Sequence, residues 1–423
     1  MTEQPASGIQ GERLDLLYQL SRAFNSTLDL DEVLDRVMDE VIRVMGAERG
    51  FLMLVGAGEE PEFVTARGLD QSTIMHPEFQ ISKGIVEKVA AEGLPLLTSN
   101  ATQDERFSSR QSVLSLGLRS ILCVPLRTKD RLDGVIYVDN RLLAGIFTQD
   151  DLEFLAAIAA NAAIAIENAR LYKIAIDQGR MERELQMAHQ VQASLLPRKL
   201  PSIEGWEFEA RWMPALEVAG DYYDLIPAPD GKIYLVIGDV TDKGMPASLF
   251  MVFTRSAIRA SLETEGPLSA TLGRANRLLC LESGEGLFVT LFLACLDPAT
   301  GEMKYVNAGH NPPVHKDGAD SRFNLLKQTG IPLGIDPEFV YEERSVRVEP
   351  GDLLVLYTDG IPEAVDSGGN QFGMERFESA VLRGAGRPAS DLIEMVMEAV
   401  SEHADPGKAN DDITLLVVQR CPN

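Results

Sequence analysis

The sequence has few cysteines and no long uninterrupted apolar run. Its four cysteines are isolated, without a CxxC pair or a paired spacing, so they indicate neither a zinc site nor a disulfide framework and suit a reducing cytoplasm. The N-terminal segment, MTEQPASGIQGERLD, lacks the apolar core of a secretory signal. The most apolar stretch, residues 154–166, is shorter than about 18 residues and contains Asn161, which favours a buried helix over a membrane span.

Positive charge is also scarce. The chain has 39 Lys and Arg residues against 64 Asp and Glu residues, and its formal net charge is −25. Such a surface repels nucleic acid and anionic membranes, so we expect neither as a partner and favour a protein partner instead. With 423 residues and an apolar fraction of 45%, the chain is long enough for two soluble domains.

Carboxylates recur at the ends of apolar, strand-like segments in the second half of the sequence. The acids at these ends are Asp221 with Asp224, Asp239, Asp359, and Asp411 with Asp412. One Asp beside a glycine is ordinary turn chemistry. Four such strand ends, in a region without a Cys or His ligand pair, predict an all-oxygen site for hard divalent cations.

The same region carries six motifs that together resemble a known family. They are GDYYD, IGDVTDKG, NAGHNPP, GIPLGI, YTDGIPEA and NDDITLLVV. In wording and order they resemble the SpoIIE/RsbU branch of the metal-dependent PPM (PP2C-like) serine/threonine protein phosphatases, over about residues 200–420. The resemblance implies an α/β sandwich of two central antiparallel sheets flanked by helices, with a two-metal active site at one edge.

The resemblance also implies a role for each acid. It assigns Asp239 as the bridge between two metals, Asp221 as a contact to one of them, Asp359 and Asp411 as ligands of the other, and Asp412 and the Gly238 carbonyl as assisting groups. Clustered carboxylates raise one another's pKa values unless cations neutralise them, which is a physical reason to expect two Mn²⁺ or Mg²⁺ ions as cofactors.

Four further positions in these motifs need separate interpretation. Thr241 stands where eukaryotic relatives carry a His, so the sequence names no general acid. Asp242 replaces the Gly that is usual at this position of the motif in bacterial relatives. Lys243 either contacts a substrate phosphate or is a solvated turn residue, and His310 lies in a turn with Gly and Pro neighbours, which favours a structural role.

The first part of the chain resembles a GAF domain over about residues 14–172. The motifs are RGFLML, GIVEKVAAEGLPLL, RSILCVPL, LDGVIYVDN and FTQDDLEFLAAIAANAAIAIENARLY. The hydrophobic pattern predicts one antiparallel sheet with helices on one face. The GAF ligand stays open, because GAF domains bind cyclic nucleotides, tetrapyrroles, small metabolites or nothing, and Leu152 stands where the cyclic-nucleotide signature requires Glu. Cys123 lies mid-strand and is predicted to be a small buried hydrophobe.

A helix of some 45 residues is predicted from Asp151. Its apolar positions in residues 152–169 follow a heptad, which either packs on its own domain or forms a dimer seam. Lys173 and Gly179 interrupt the seam, and Pro197 ends the helix. The α+β organisation expected is therefore a disordered tail (1–13), a GAF sensor (14–172), a helical coiled-coil linker (173–200) and a phosphatase domain (201–423).

The function expected is a metal-dependent serine/threonine phosphatase under GAF control. The resemblance implies a phosphorylated anti-anti-sigma (STAS) protein as substrate within a partner-switching pathway. We expect a cytoplasmic homodimer that associates through the GAF domain and the linker. The alternative is a non-catalytic binding module with a phosphatase fold, which the presence of every metal aspartate disfavours.

Overall fold

The computed structural model describes residues 7–55, 62–76, 81–107, 116–129, 131–282, 286–318, 323–405 and 411–422. The chain divides into two compact units, Met1–Arg180 and Met181–Asn423. The division falls inside the segment expected to be the linker.

The first unit is built on one five-stranded antiparallel sheet. Its strands are β1 (Arg49–Leu54), β2 (Glu62–Gly68), β3 (Leu96–Thr98), β4 (Ser120–Thr128) and β5 (Arg131–Asn140), in the order β2-β1-β5-β4-β3. The helices before and between them are α1 (Ser7–Phe24), α2 (Leu30–Met45) and α3 (Lys83–Glu92). The Asp29 carboxylate accepts a hydrogen bond from the Glu32 amide and so caps the start of α2.

Helices cover both faces of this sheet, so the expectation of helices on one face is wrong. Leu52 and Ile136 point into a core shared with α1 and α2, whereas Phe51 and Tyr137 point into a second core with α3. Neighbouring strand residues face opposite sides, and here both sides are apolar, so each needs a cover. Cys123 is fully buried in the second core, as predicted, and burial raises the pKa of its thiol.

The expected disordered tail is also corrected in part. Helix α1 begins at Ser7, so residues 7–13 are helical, and residues 1–6 of the expected tail lie outside the described part of the chain. Leu20 and Phe24 anchor α1 in the core. Once these buried residues have nucleated the helix, extending it by each earlier residue costs little free energy. The polar composition of residues 7–13 therefore did not indicate that they are helical.

The long helix is present as α4 (Gln149–Leu195), which runs without a break through Gly179 and ends before Pro197. Its heptad residues are all buried in the core of the first unit: Leu152, Leu155, Ala159, Ala162, Ile166 and Ala169. Of the two alternatives, packing on its own domain is therefore correct and a dimer seam through these residues is wrong. Helix α4 is long and apolar enough to cross a membrane, but 56% of its most apolar window is buried, as in a core helix.

The second unit contains two five-stranded sheets. The first has the order β13-β10-β9-β8-β7 and the second the order β12-β11-β14-β15-β6. The strands are β6 (Trp206–Met213), β7 (Tyr222–Pro227), β8 (Ile233–Val240), β9 (Val289–Leu296), β10 (Glu302–Ala308), β11 (Val314–Lys316), β12 (Phe323–Leu325), β13 (Arg344–Arg347), β14 (Leu353–Tyr357) and β15 (Ile413–Arg420). The helices are α5 (Met245–Leu262), α6 (Leu268–Glu282), α7 (Gly373–Gly384) and α8 (Ala389–His403).

These elements form a four-layered sandwich. Leu416 and Val418 of β15 share a core with the first sheet, while Leu415 and Val417 pack against α7 and α8 on the other side. Helices α5 and α6 cover the outer face of the first sheet. Neighbouring residues of these buried strands face opposite sides of the sheet, and both sides are apolar. Each sheet therefore lies between a helical layer and the other sheet. The expected sandwich of two antiparallel sheets flanked by helices is confirmed.

Candidate metal centre

The predicted acids meet at one end of the sandwich. Asp221 immediately precedes β7, and Asp239 lies near the end of β8, the antiparallel partner of β7. Asp359 follows β14, and Asp411 precedes β15 of the same sheet. Each sheet therefore contributes one pair of neighbouring strand ends, which is why carboxylates far apart in sequence lie together.

Asp221 is the most enclosed of these acids, with 1% of its surface exposed. Its Oδ2 accepts hydrogen bonds from Thr358 Oγ1 and Thr414 Oγ1, each at 2.7 Å. The Trp212 indole donates to the Asp221 carbonyl at 3.0 Å. The two threonines belong to the opposite sheet, so Asp221 joins both sheets at the site. Sequence reasoning missed them, although Thr358 directly precedes Asp359.

Asp412 holds the segment that leads to Asp221. Its Oδ1 accepts from the Ala215 amide at 2.8 Å, and its Oδ2 accepts from the Gly220 amide at 2.7 Å. Both oxygens are therefore engaged with backbone groups. This arrangement fixes residues 215–221 against the start of β15.

The acids strongly perturb one another's ionisation. Burial, and then the charges of Asp359, Asp411 and Asp412, raises the pKa of Asp239 to about 8. Burial, and then the charge of Asp411, raises the pKa of Asp359 to about 6. Burial is also the main cause that raises the pKa of Asp221 well above its usual range, with the charge of Asp239 next. Several carboxyl groups thus crowd a poorly solvated site, which favours their protonated forms.

One cation of the protein offsets part of this negative charge. Lys243 Nζ lies 3.0 Å from Asp411 Oδ2, and its charge lowers the pKa of Asp359. The lysine side chain remains 47% exposed. Lys243 is therefore an ion-pair partner of the acid cluster rather than a turn residue that only contacts solvent.

The donor chemistry of this cluster fits a hard divalent cation. The acids offer carboxylate oxygens, and a cation would favour the charged forms that burial disfavours in Asp221, Asp239 and Asp359. Across the described ranges, no three Asp, Glu, His or Cys side chains converge closely enough to hold an ion. Asp411 faces Lys243 and Asp412 faces backbone amides, so a metal would draw Asp411 away from its ion pair.

The turn after Asp239 contains a residue with left-handed backbone geometry. Asp242 has a φ of 73°, in the left-handed region where Gly is usual. Thr241 Oγ1 donates to the Phe288 carbonyl at 3.0 Å and accepts from the Phe288 amide at 3.1 Å. The turn is therefore held to the start of the β9 region. Gly238, the proposed carbonyl ligand, lies in β8 with no room for a side chain, since a Cβ would meet the Tyr222 ring at 3.0 Å.

Two other polar residues from the motifs bond to groups other than the four predicted metal-binding carboxylates. His310 is fully buried, and its Nδ1 lies 2.8 Å from Thr290 Oγ1. Burial lowers the pKa of His310 to about 4, so the ring is neutral at pH 7 and supports β9 structurally. Asp224 forms a bidentate ion pair with Arg259 at 2.6 and 2.8 Å, which ties β7 to α5.

A groove of about 530 Å³ opens beside the acids. Lys243, Glu363 and Asp411 line one part of it. Apolar side chains line another part, among them Met213, Val365, Met397 and Ile413. A chain segment of mixed polarity could therefore lie next to the site.

Two family descriptions match separate parts of the chain. The GAF domain matches residues 29–166, and "Stage II sporulation protein E (SpoIIE)" matches residues 229–421. Protein IcfG of Synechocystis sp. is 29% identical over 266 residues, which cover 56% of this chain and 41% of IcfG. Phosphoserine phosphatase RsbU of Bacillus subtilis is 29% identical over 245 residues, which cover 57% of this chain and 72% of RsbU.

The fold has a counterpart among solved structures. The SiaA-PP2C domain of Pseudomonas aeruginosa matches with a TM-score of 0.52 and 24% identity, over 57% of this chain and 98% of that domain. At this identity the likeness establishes the fold alone. The chain also spans less than half the length of IcfG, so the activity of a whole relative does not transfer directly.

Proposed function

Because the chain consists of a GAF domain followed by a SpoIIE-type domain, we propose that it is a metal-dependent protein serine/threonine phosphatase with a sensory domain. The observation that carries this proposal is the meeting of Asp221, Asp239, Asp359 and Asp411 at one end of the sandwich, with raised pKa values for the first three. The relative RsbU is named a phosphoserine phosphatase, which supports the same chemistry.

Each group in the site has a proposed task. Asp239, whose pKa responds to the charges of Asp359 and Asp411 and to a hydrogen bond with Asp221, would contact both ions. Asp221 would hold one ion, and Asp359 and Asp411 would hold the other. Two Mn²⁺ or Mg²⁺ ions, when bound, supply an activated water and neutralise charge on a phosphoryl group during in-line displacement. The protein's own part is to hold the carboxylates in position, with the Gly238 carbonyl and Asp412 as assisting groups.

The threonines and the lysine complete this proposal. Thr358 and Thr414 stabilise the charged form of Asp221, because each donates a hydrogen bond to the same oxygen. If a metal ion bound Asp411, Lys243 would give up this ion pair and would be placed to contact the substrate phosphate. The ion pair between Lys243 and Asp411 is the observation behind this step.

The proposed substrate is a phosphoserine or phosphothreonine on a small anti-anti-sigma (STAS) protein in a partner-switching pathway. The net charge of −25 favours a discrete protein partner over a polyanion. The groove beside Lys243 offers apolar and charged contacts to the residues that flank the phosphate. A reducing cytoplasm is the proposed location, since the cysteines in the structure are free.

The GAF domain is proposed to act as the sensor, in a homodimer formed through this domain and α4. The outer side of α4 carries Ile164, Leu171 and Ile174, which are 52%, 54% and 43% exposed. Their spacings of seven and three residues place them on one helix face, as in a coiled-coil seam. A second copy of α4 would cover this face.

The decisive experiment measures phosphate release from phosphorylated STAS proteins by the full chain, with Mn²⁺ and with a chelator. We expect turnover only with the metal, and loss of turnover in Asp239→Asn. The non-catalytic alternative predicts that the chain binds the phosphorylated protein without releasing phosphate. A preference for phosphotyrosine peptides would contradict the proposed substrate class.

A further inference from the structure

The end of α4 is bonded directly to the backbone that carries Asp221. Gln192 is 4% exposed although it lies on a helix with a largely exposed surface in this region. Its Nε2 donates to the Ala219 carbonyl at 2.9 Å, and its Oε1 accepts from the Ala219 amide at 3.1 Å. One side chain therefore satisfies both backbone groups of a residue two positions before Asp221.

Gln192 also reaches the segment on the other side of the site. Its Nε2 lies 3.4 Å from the Ser248 carbonyl in the first turn of α5. Helix α5 follows directly on the turn after Asp239. The Gln192 amide thus links the chain that leads to Asp221 with the helix that follows Asp239.

A second contact runs in parallel from the same helix face. His189 precedes Gln192 by three residues and therefore lies on the same side of α4. Its ring stacks on Trp212, with centroids 5.5 Å apart and planes 20° from parallel. The Trp212 indole in turn donates to the Asp221 carbonyl. Both contacts from α4 lead to Asp221.

We infer that Gln192 is a positioning residue for the metal centre, which sets the place of Asp221 from the last turns of α4. This inference rests on the proposed function, because it treats Asp221 as a metal ligand. Gln192 bonds to the backbone of Ala219 and is not one of the proposed metal ligands. It acts through Ala219. The end of α4 fixes the N–H and C=O groups of Ala219 for as long as Gln192 is bonded to them.

Asp412 and Gln192 both hold the segment that precedes Asp221, so a small displacement of this segment would move Asp221. The Asp412 carboxylate binds the Ala215 and Gly220 amides, so it holds residues 215–220 from the side of β15. Gln192 holds Ala219 from the side of α4. If the bonds to either Gln192 or Asp412 are lost, we expect residues 215–220 to follow the same course. The distance between Asp221 and Asp239 would then no longer be fixed. Groups that orient metal ligands in this way typically change metal affinity by about 10- to 100-fold.

The test compares Mn²⁺ binding by the full chain and by Gln192→Met, which keeps the size of the side chain and removes both hydrogen-bonding groups. We expect the dissociation constant from calorimetry to rise by about 10-fold or more. Gln190→Leu, at an exposed neighbour on the same helix, is the matched control and should bind Mn²⁺ like the parent. Urea unfolding of each metal-free protein separates a loss of affinity from a loss of folding.

A second variant keeps the test decisive if Gln192→Met does not fold. Trp212→Phe retains a ring against His189 but removes the donor to the Asp221 carbonyl, and it should also weaken Mn²⁺ binding. If both variants fold, their effects should combine less than additively, because they act on the same residue.

The outcomes distinguish failure of the proposed function from failure of this inference. A parent protein that binds no Mn²⁺ overturns the proposed function and this inference with it. A parent that binds Mn²⁺, together with folded Gln192→Met and Trp212→Phe proteins of unchanged dissociation constant, overturns this inference alone.

Discussion

The Thr414 hydroxyl donates a hydrogen bond of 2.7 Å to Asp221 Oδ2, although 193 residues separate them and they lie at the ends of different sheets. Thr358 donates to the same oxygen from the neighbouring strand end. A buried carboxylate is stable in its charged form only when such donors or cations compensate for lost water. The two threonines therefore favour the charged form of Asp221, which its proposed role as a metal ligand requires.

The first prediction concerns the residue in the proposed bridging position. Asp239→Ala removes the carboxylate proposed to contact both ions, so Mn²⁺-dependent phosphate release should fall by more than about 100-fold. This exceeds the effect that is usual for residues that only orient metal ligands. Phosphate release from an aryl phosphate measures this change. Asp230→Asn, at the opposite end of the β7–β8 hairpin, is the control and should retain parent activity. A folded Asp239→Ala protein with the parent rate would mean that the site is assigned wrongly.

The second prediction concerns the threonines. Thr414→Val keeps the shape of the side chain but removes the donor to Asp221, so Mn²⁺ affinity should fall by about 10- to 100-fold. Thr414→Ser keeps the hydroxyl and should bind Mn²⁺ nearly as the parent does. Calorimetric titration of both variants gives the comparison. Equal affinities for the Val and Ser variants would show that the hydrogen bond does not prepare the ligand.

The third prediction concerns pH. The folded protein holds the pKa of Asp239 at about 8 against a usual value of 3.8, so between these values the folded state binds more protons than the unfolded state. The protonated Asp239 contributes its full share to the free energy of unfolding below about pH 4, and this contribution is lost as the pH rises towards 8. The free energy of unfolding in the presence of a chelator should therefore fall over this window.

Two measurements check the cause of that pH dependence. Asp239→Asn cannot ionise at this position, so its unfolding free energy should fall less steeply with pH than that of the parent. Saturating Mn²⁺ should also reduce the slope, because the ion favours the charged carboxylates. A parent slope that neither change reduces would contradict the role of Asp239.

The fourth prediction concerns the turn at Asp242. Its left-handed backbone, with φ of 73°, strains most side chains and branched ones most of all. Asp242→Val should lower the free energy of unfolding by about 1–2 kcal/mol, whereas Asp242→Gly should not lower it. Urea unfolding of the chain in chelator gives both values. A Val variant as stable as the Gly variant would contradict the strain.

The fifth prediction concerns association. If α4 pairs with a second copy through its outer face, Leu171→Lys should convert a dimer into a monomer, because it places a charge in an apolar seam. Light scattering gives the mass of each protein. Leu142→Lys changes a loop leucine that is 76% exposed and should leave the mass unchanged. A parent protein of monomeric mass would contradict the proposed dimer.

Several features of the fold followed from local pattern. The antiparallel sheet of the first unit and the length of α4 were predicted, because alternation and helical spacing are properties of neighbouring residues. The second layer of helices on the first sheet was not predicted. Apolar residues on both sides of β1 and β5 require two covers, but the sequence does not say that α3 supplies one of them.

The heptad in residues 152–169 shows the same limit. Its spacing describes a helix with one apolar side, and that side is buried equally well by the helix's own sheet or by a second helix. The tertiary structure decides the matter, because Leu155 and Ala159 are in the core of the first unit. The exposed face of α4 that carries Leu171 was not predicted from the sequence.

The sequence by itself determined which acids stand at strand ends, since an acid after an apolar run is visible in the letters around Asp239 and Asp359. Only the tertiary structure decided which groups surround them. The contacts of Asp221 with Thr358 and Thr414, and of Gln192 with Ala219, join segments 27 to 193 residues apart. Such contacts depend on how two sheets and a helix end pack together, and a local pattern carries no record of that packing.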